Sequence, residues 1–290
     1  MQGRTLCSDE EAIARGFAGR EAARRREVLR ETLAAFEQAD PPDHHHRLAA
    51  RNLDRWRVQR DVASVRPAVE IHAGDWGEVT RSLTREHGEC FAVLNMANAF
   101  VPGGGYVEGA VAQEENMFRR TDCHFRVGEE EYDARLDGYR PAMTRLLSAR
   151  YGAVYLDVDR PRVCLRGAED RARADLGYRW LPDDEVFPFF ELRASAQDLR
   201  DGSDFDPDDA RRRIAAQLST LQAHRIRHVV LGAFGCGAFR NPADRVARIY
   251  AEEIAARAAD FSVVAFAIYA AGYGPDNYGP FAEVFPSRPR

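Results

Sequence analysis

The stretch GGGYVEGAVAQEEN, residues 103–116, sets three consecutive glycines seven residues ahead of a glutamine and two glutamates. The residues concerned are Gly103, Gly104, Gly105, Gln113, Glu114 and Glu115. Glycines let the backbone approach a ligand closely and leave amide N–H groups free to donate to phosphate or sugar oxygens. Adjacent carboxylates in a partly desolvated cleft repel each other, which keeps one of them protonated and favours an acid role. A helix N-terminus would oppose this by stabilising the anion, and a surface loop with positive φ angles is the alternative for the glycines alone.

A second glycine-rich loop, LGAFGCGAFRNP, covers residues 231–242 and opens a predicted helix. Backbone N–H groups at a helix N-terminus suit a diphosphate. The loop lacks the third glycine of a dinucleotide-binding fingerprint, and only one predicted strand follows it, which disfavours dinucleotide oxidoreduction. We interpret Cys236 as a small residue whose backbone matters, because neither His224 nor His228 forms a recognisable Cys-His arrangement with it. Aromatic residues that could line an adenine or ribose pocket, or belong to the core, are Phe234, Phe239, Tyr273, Tyr278 and Phe281.

Alternating strands and helices must position these loops. Hydrophobic patterning predicts strands at 67–73, 91–99, 153–166, 185–195, 228–234 and 262–270, and helices at 19–38, 75–88, 206–224 and 241–259. Asn241 is predicted to cap the last of these helices, with Pro242 at its first position. The pattern indicates a mixed, mostly parallel sheet with helices on both faces, in which ligands collect at the carboxyl ends of strands.

Composition excludes several other classes. The net charge of −5 provides no global field for nucleic acid. Five scattered cysteines indicate neither a disulfide framework nor a structural zinc site. The prolines of ADPPDHHHRLAARN, residues 39–52, are expected to break regular structure, and three consecutive histidines there cannot all converge on one metal ion. No apolar run reaches about 18 residues and the N-terminus resembles no signal peptide, so we expect a cytoplasmic protein that does not enter membranes.

The spacing of the glycines and QEE resembles the signature of poly(ADP-ribose) glycohydrolases, and VLNMANAFVPGGGYVEGAVAQEENMFRRT is similar to their bacterial-type branch. Further similar segments are RREVLRETLAAF, RVCLRG, LGAFGCGAFRNPADRVA and NYGPFAEVF. The resemblance covers most of the chain from about residue 20 and is weakest over residues 167–205. It implies a macrodomain-like three-layer α/β/α domain over residues 61–290, with residues 1–60 as a helical extension packed on it.

The resemblance also implies an activity: hydrolysis of the ribose-ribose O-glycosidic bond of poly(ADP-ribose) from the chain end, releasing ADP-ribose without metal or cofactor. Glu115 would act first as general acid and then as general base, while Glu114 and Gln113 would hold the scissile ribose. Asn98 would bind the distal ribose, which packs against the backbone of Gly103, Gly104 and Gly105. The diphosphate loop would comprise Gly235, Cys236, Gly237 and Ala238, with Phe239 near the scissile ribose. At the adenine end the candidates are Asp75, which could instead cap a helix, Asn277 and Phe281.

Two other functions fit the same residues. The first is removal of ADP-ribose from mono-ADP-ribosylated protein or nucleic acid, which substrate-channel residues in 167–205 would decide. The second is a macrodomain that binds ADP-ribose without hydrolysing it, although such a protein has no need of Glu115. The expected partners are ADP-ribose, poly(ADP-ribose) and ADP-ribosylated proteins, with no obligate nucleic acid and a monomeric chain.

Overall fold

A six-stranded sheet forms the centre of the computed structural model, which describes residues 3–60, 68–270 and 274–285. The strands are β1 (Ala68–Ala73), β2 (Ala92–Met96), β3 (Tyr132–Asp133), β4 (Gly138–Tyr139), β5 (Tyr155–Cys164), β6 (Phe187–Ala194), β7 (His228–Leu231) and β8 (Val263–Ile268). The sheet order is β1-β8-β7-β2-β6-β5, and β3 pairs with β4 separately. All neighbours in the large sheet are parallel except β5, which runs antiparallel to β6 at one edge. This confirms the predicted mixed, mostly parallel sheet.

Helices cover both faces of this sheet. They are α1 (Asp9–Ala14), α2 (Arg20–Glu37), α3 (His44–Gln59), α4 (Trp76–His87), α5 (Gln113–Arg120), α6 (Pro141–Leu147), α7 (Pro207–Ala223), α8 (Ala243–Ala255) and α9 (Tyr278–Val284). Apolar side chains of α7, α8 and α9 share one core with one face of the sheet. Those of α2, α3, α4 and α5 share a second core with the other face. The fold is therefore the expected three-layer α/β/α arrangement.

Helix boundaries follow local capping chemistry. Asp75 accepts hydrogen bonds from the backbone N–H groups of Gly77 and Glu78 and so begins α4, which ends at Gly88 in the left-handed conformation. Asp206 caps α7 in the same way, with Pro207 at its first position. The alternative that Asp75 caps a helix is thus confirmed.

The predicted break at the prolines before His44 is confirmed, because α2 ends at Glu37 and α3 starts only at that histidine. One local prediction is wrong. Asn241 does not cap α8, which begins at Ala243 with Pro242 in the capping position. The Asn241 side chain instead donates to the carbonyls of Gly235 and Phe239 in the loop before the helix and to that of Gln197 in a distant segment, a tertiary role that competes with capping.

The N-terminal helices pack directly on the sheet domain. Leu29 and Leu33 of α2 and Trp56 of α3 lie in the same core as Val93 of β2 and Met117 of α5. The predicted boundary between residues 60 and 61 falls where the described residues stop, and it stays a prediction. Within the described ranges, the helices are all too short or too polar to cross a bilayer.

Candidate active site

Two loops leave the same edge of the sheet. β2 and β7 are parallel neighbours, so the loop from β2 to α5 and the loop from β7 to α8 both start at carboxyl ends of strands. The first loop holds the three consecutive glycines and the second holds Gly235 and Gly237. The topology therefore brings together the two loops that the sequence singles out.

Gly104 lies directly against the carboxylates of Glu114 and Glu115. It adopts a positive φ of 55°, and a Cβ there would overlap Glu115 Oε1 and lie 3.3 Å from Glu114 Oε2. The neighbouring Gly105 N–H donates to Glu115 Oε1 at 3.0 Å. Glu115 is half-buried in the first turn of α5. The glycine loop thus fixes one carboxylate that a ligand can still reach.

Glu114 is the buried member of the pair. Its Oε2 accepts from the Asn98 N–H at 2.7 Å and its Oε1 accepts from the Gly103 N–H at 3.0 Å. Burial, and next the charge of Glu115, raise the pKa of Glu114 well above its ordinary value, against the two N–H donors and the charge of Arg193. The sequence predicts that one carboxyl of the pair stays protonated, and the raised pKa indicates that this one is Glu114.

A buried ion network lies behind Glu114. On β6, Arg193 Nε donates to Glu191 Oε1 at 2.9 Å, and both side chains are fully buried. Arg162 Nε and Asn95 Nδ2 also donate to Glu191, at 2.9 and 2.8 Å. Burial works to raise the pKa of Glu191, but Arg193 and Arg162 outweigh it and leave the pKa lowered. Sequence reasoning missed this network, although Glu and Arg two residues apart in an apolar strand were a usable signal.

Gln113 has a different role from the predicted one. Its Oε1 accepts from the Met96 N–H at 3.0 Å and its Nε2 donates to the Leu94 carbonyl at 2.9 Å, so the side chain extends the β2 ladder. This corrects the assignment of Gln113 to the ribose, because the side chain holds α5 to the strand. Asn98 Oδ1 accepts from the N–H groups of Phe100 and Val101, which leaves Asn98 Nδ2 without a hydrogen bond in the described chain.

The second loop is shaped by tight backbone packing. Gly235 has a φ of 75°, and a Cβ there would lie 2.5 Å from Ala196 Cβ and 2.7 Å from Asn241 Nδ2. Gly237 and Ala238 are exposed and Phe239 is half-buried. Cys236 is buried, and burial raises the pKa of its thiol strongly, which argues against a nucleophile.

The predicted adenine end is only partly supported. Asp75 Oδ1 pairs with Arg120 Nη1 at 2.7 Å besides capping α4, while its Oδ2 makes no hydrogen bond within the described residues. The assignment of Phe281 to the adenine is wrong, since its ring is fully buried among Tyr250 and Phe266. Asn277 precedes α9 and is half-buried.

The other aromatic candidates divide in the same way. Phe234 is also a core residue, whereas Tyr278 is half-buried. Tyr273 lies outside the described residues. No three His, Cys, Asp or Glu side chains cluster as metal ligands where the structure is described.

An arginine near the chain start reaches the glycine loop. Arg4 Nη1 donates to the Gly104 carbonyl at 2.5 Å, and the same buried guanidinium pairs with Asp137 at 2.7 Å and with Glu108 at 3.3 Å. One hundred positions separate Arg4 from Gly104, so no local pattern points to this contact.

Residues 10–145 match the family model described as microbial-type PARG, catalytic domain, where PARG denotes poly(ADP-ribose) glycohydrolase. The matched stretch is a little under half of the chain, and it is similar to that family. The match includes the first glycine loop and both glutamates, and the second loop lies beyond it.

Solved structures extend the likeness over most of the chain. The poly(ADP-ribose) glycohydrolase of Thermomonospora curvata is 25% identical with a TM-score of 0.62, covering 90% of this chain and 99% of its own. Its complex with the inhibitor ADP-HPD has a TM-score of 0.59 at 24% identity, with the same coverage. The Deinococcus radiodurans enzyme in complex with ADP-ribose is 25% identical with a TM-score of 0.55, covering 84% and 92%. No curated protein matches the chain.

Proposed function

We propose that this protein hydrolyses the ribose-ribose O-glycosidic bond of poly(ADP-ribose) from the chain end and releases ADP-ribose. The observation that carries the proposal is the half-buried Glu115 carboxylate, fixed against Gly104 by the Gly105 N–H and placed beside a fully buried Glu114. The resemblance to microbial-type glycohydrolases, including relatives crystallised with ADP-ribose or ADP-HPD, supports it.

Glu115 supplies the proton transfers in this proposal. Cleavage of a glycosidic bond passes through an oxocarbenium-like transition state, in which an acid protonates the leaving oxygen and a base then activates water. A single carboxyl can serve both steps, because it becomes a carboxylate when it gives its proton to the leaving oxygen and can then accept a proton from the attacking water. Glu115 is the member of the pair that a ligand can reach, so we assign both steps to it.

Glu114 acts as a positioning residue rather than a reacting one. Its two oxygens connect the N–H of Asn98, just after β2, with that of Gly103 in the glycine loop. Loss of this carboxylate would leave two N–H groups without their acceptor and would free the glycine loop that holds Glu115 in place. This assignment refines the predicted role of Glu114 in holding the ribose.

The second loop supplies the diphosphate site in this proposal. The amides of residues 235–238 precede the N-terminus of α8, where N–H groups and the helix dipole favour anions. Phe239 would flank the scissile ribose, Asn98 Nδ2 would donate to the distal ribose, and Asp75 Oδ2 would accept from the adenine amino group. The cytoplasmic location, the monomeric state and binding to ADP-ribosylated proteins stay predictions of the sequence.

The test compares the wild type with Glu115→Gln in release of ADP-ribose from purified poly(ADP-ribose). We expect kcat to fall by a factor of about 10² to 10⁴, because general acid-base catalysis contributes about that much. The Kd for ADP-ribose, measured by calorimetry, should stay within about threefold, which corresponds to less than 1 kcal/mol. Glu10→Gln, a substitution in the first turn of α1, is the matched control and should keep full activity.

A wild type that binds ADP-ribose but leaves the polymer intact would contradict the proposal. Assays with mono-ADP-ribosylated protein and nucleic acid would then separate the second hydrolase function from simple binding. Equal activity of the wild type and Glu115→Gln would contradict the assignment of the reacting carboxylate.

A further inference from the structure

The segment from Ser195 to Asp206 packs on the second loop, and it lies in the part of the sequence that least resembles the family. The Leu199 N–H donates to the Phe239 carbonyl at 3.1 Å. Asn241 Nδ2 donates to the Gln197 carbonyl at 2.8 Å. These bonds fix the segment beside the loop that leads into α8, so its side chains border the proposed active site.

Arg200 is the cation that this segment contributes. Its guanidinium lies 5.0 Å from the centre of the Phe239 ring. Asp198 accepts from Nε at 2.7 Å and from Nη2 at 2.5 Å, which fixes the plane of the guanidinium. Nη1 makes no hydrogen bond to any described residue, and about half of the side chain (53%) is exposed.

Arg200 also lies within electrostatic range of the catalytic carboxylate. The hydrogen bond to Asp198 and, more weakly, the charge of Glu115 raise the pKa of Arg200. The segment does not need this solvent-facing cation beside Phe239 to stay in place, since the hydrogen bonds to Phe239 and Asn241 already hold it. Its position instead suits a ligand group that extends outward from the reacting bond.

We propose that Arg200 binds the pyrophosphate of the leaving ADP-ribose unit, a different pyrophosphate from the one assigned to the 235–238 loop. The inference rests on the proposed function, because only a polymer presents a second pyrophosphate there. Each unit of the polymer carries one such group, and a protein of net charge −5 needs a local cation to hold it. A planar guanidinium with a free edge matches phosphate oxygens better than a lysine ammonium does.

The test compares two ligands, ADP-ribose and its two-unit oligomer, in a Glu115→Gln background that prevents turnover. We expect Arg200→Gln to weaken oligomer binding about five- to tenfold, as loss of a partly exposed charged hydrogen bond does. Binding of ADP-ribose should change less than about twofold, because that ligand has no leaving unit. Arg200→Lys should recover only part of the oligomer affinity, since it keeps the charge but not the fork.

Arg57→Gln is the matched control. Arg57 pairs with Asp54 at 3.2 Å and has a similar side-chain exposure of 46%. Its backbone adjoins Gly88, before the start of β2 and therefore at the opposite edge of the sheet. This variant should leave the binding of both ligands unchanged.

Three results would overturn the inference. Equal weakening of both ligands by Arg200→Gln would place Arg200 at the pyrophosphate of the bound unit. No weakening of either ligand, or the same weakening by Arg57→Gln, would exclude a specific contact. Failure of the proposed function is visible separately, because the protein without substitutions would then release no ADP-ribose from the polymer.

Discussion

Replacing Gly104 with alanine would place a methyl group against both carboxylates of the site. The backbone there has a φ of 55°, which costs a non-glycine residue about 1 to 2 kcal/mol. The new Cβ would also overlap Glu115 Oε1 and lie 3.1 Å from Glu115 Cδ, so the carboxylate must move by a substantial fraction of an ångström. A misplacement of about 1 Å can reduce the rate about a hundredfold.

We therefore expect Gly104→Ala to lower kcat on poly(ADP-ribose) about a hundredfold, with a fall in Tm of about 2 to 8 °C. The matched control is Gly152→Ala, because Gly152 has a φ of 69° and no atom within 4 Å of an added Cβ. Alanine at position 152 has a similar unfavourable φ but contacts no carboxylate, so the Tm of this variant should fall similarly while its kcat stays unchanged. Steady-state kinetics and thermal unfolding of the two variants decide the matter. The reasoning would be refuted if Gly104→Ala kept its kcat within about twofold, or if both variants lost activity equally.

Three further outcomes follow from burial and charge. Burial lowers the pKa of His124 from 6.5 to about 4, so the unfolded chain takes up a proton at a higher pH than the folded chain, and stability is lost as the pH falls from about 6.5 to about 4. In urea unfolding, His124→Gln should lose less stability over this pH range than the wild type, by up to about 3 kcal/mol, and equal losses would contradict this. Arg4→Ala removes the buried guanidinium that pairs with Glu108 and Asp137, although Arg15 still pairs with Glu108, so we expect the free energy of unfolding to fall by about 1 to 3 kcal/mol. We also expect kcat to fall more than ADP-ribose affinity, and an unchanged kcat at moderate temperature would count against the loop contact. Cys236→Ala should keep kcat within about threefold, since a buried thiol of raised pKa is a poor nucleophile, and loss of all turnover would refute that assignment.

Much of the architecture could be predicted from local patterns. The buried strand before the glycines, the capped helix after Asp75 and the placement of both glycine loops after strands all follow from short-range periodicity and capping. The errors arise where a tertiary contact competes with a local preference. Asn241 has the side chain of a helix cap, but it donates to carbonyls of the preceding loop and of the distant Gln197 instead. Phe281 resembles a ring available to a ligand, but its surroundings bury it.

The sequence by itself determined the α/β class, the two ligand loops and the glycine and glutamate motif, because each depends on residue types within a dozen positions. Only the tertiary structure decided which glutamate is buried, that Gln113 binds β2, and that Arg4 and Arg200 border the site. Burial and charge depend on neighbours brought from distant parts of the chain. The raised pKa of Glu114, for example, results from complete burial beside Glu115, and no local pattern reports how deeply a side chain is enclosed.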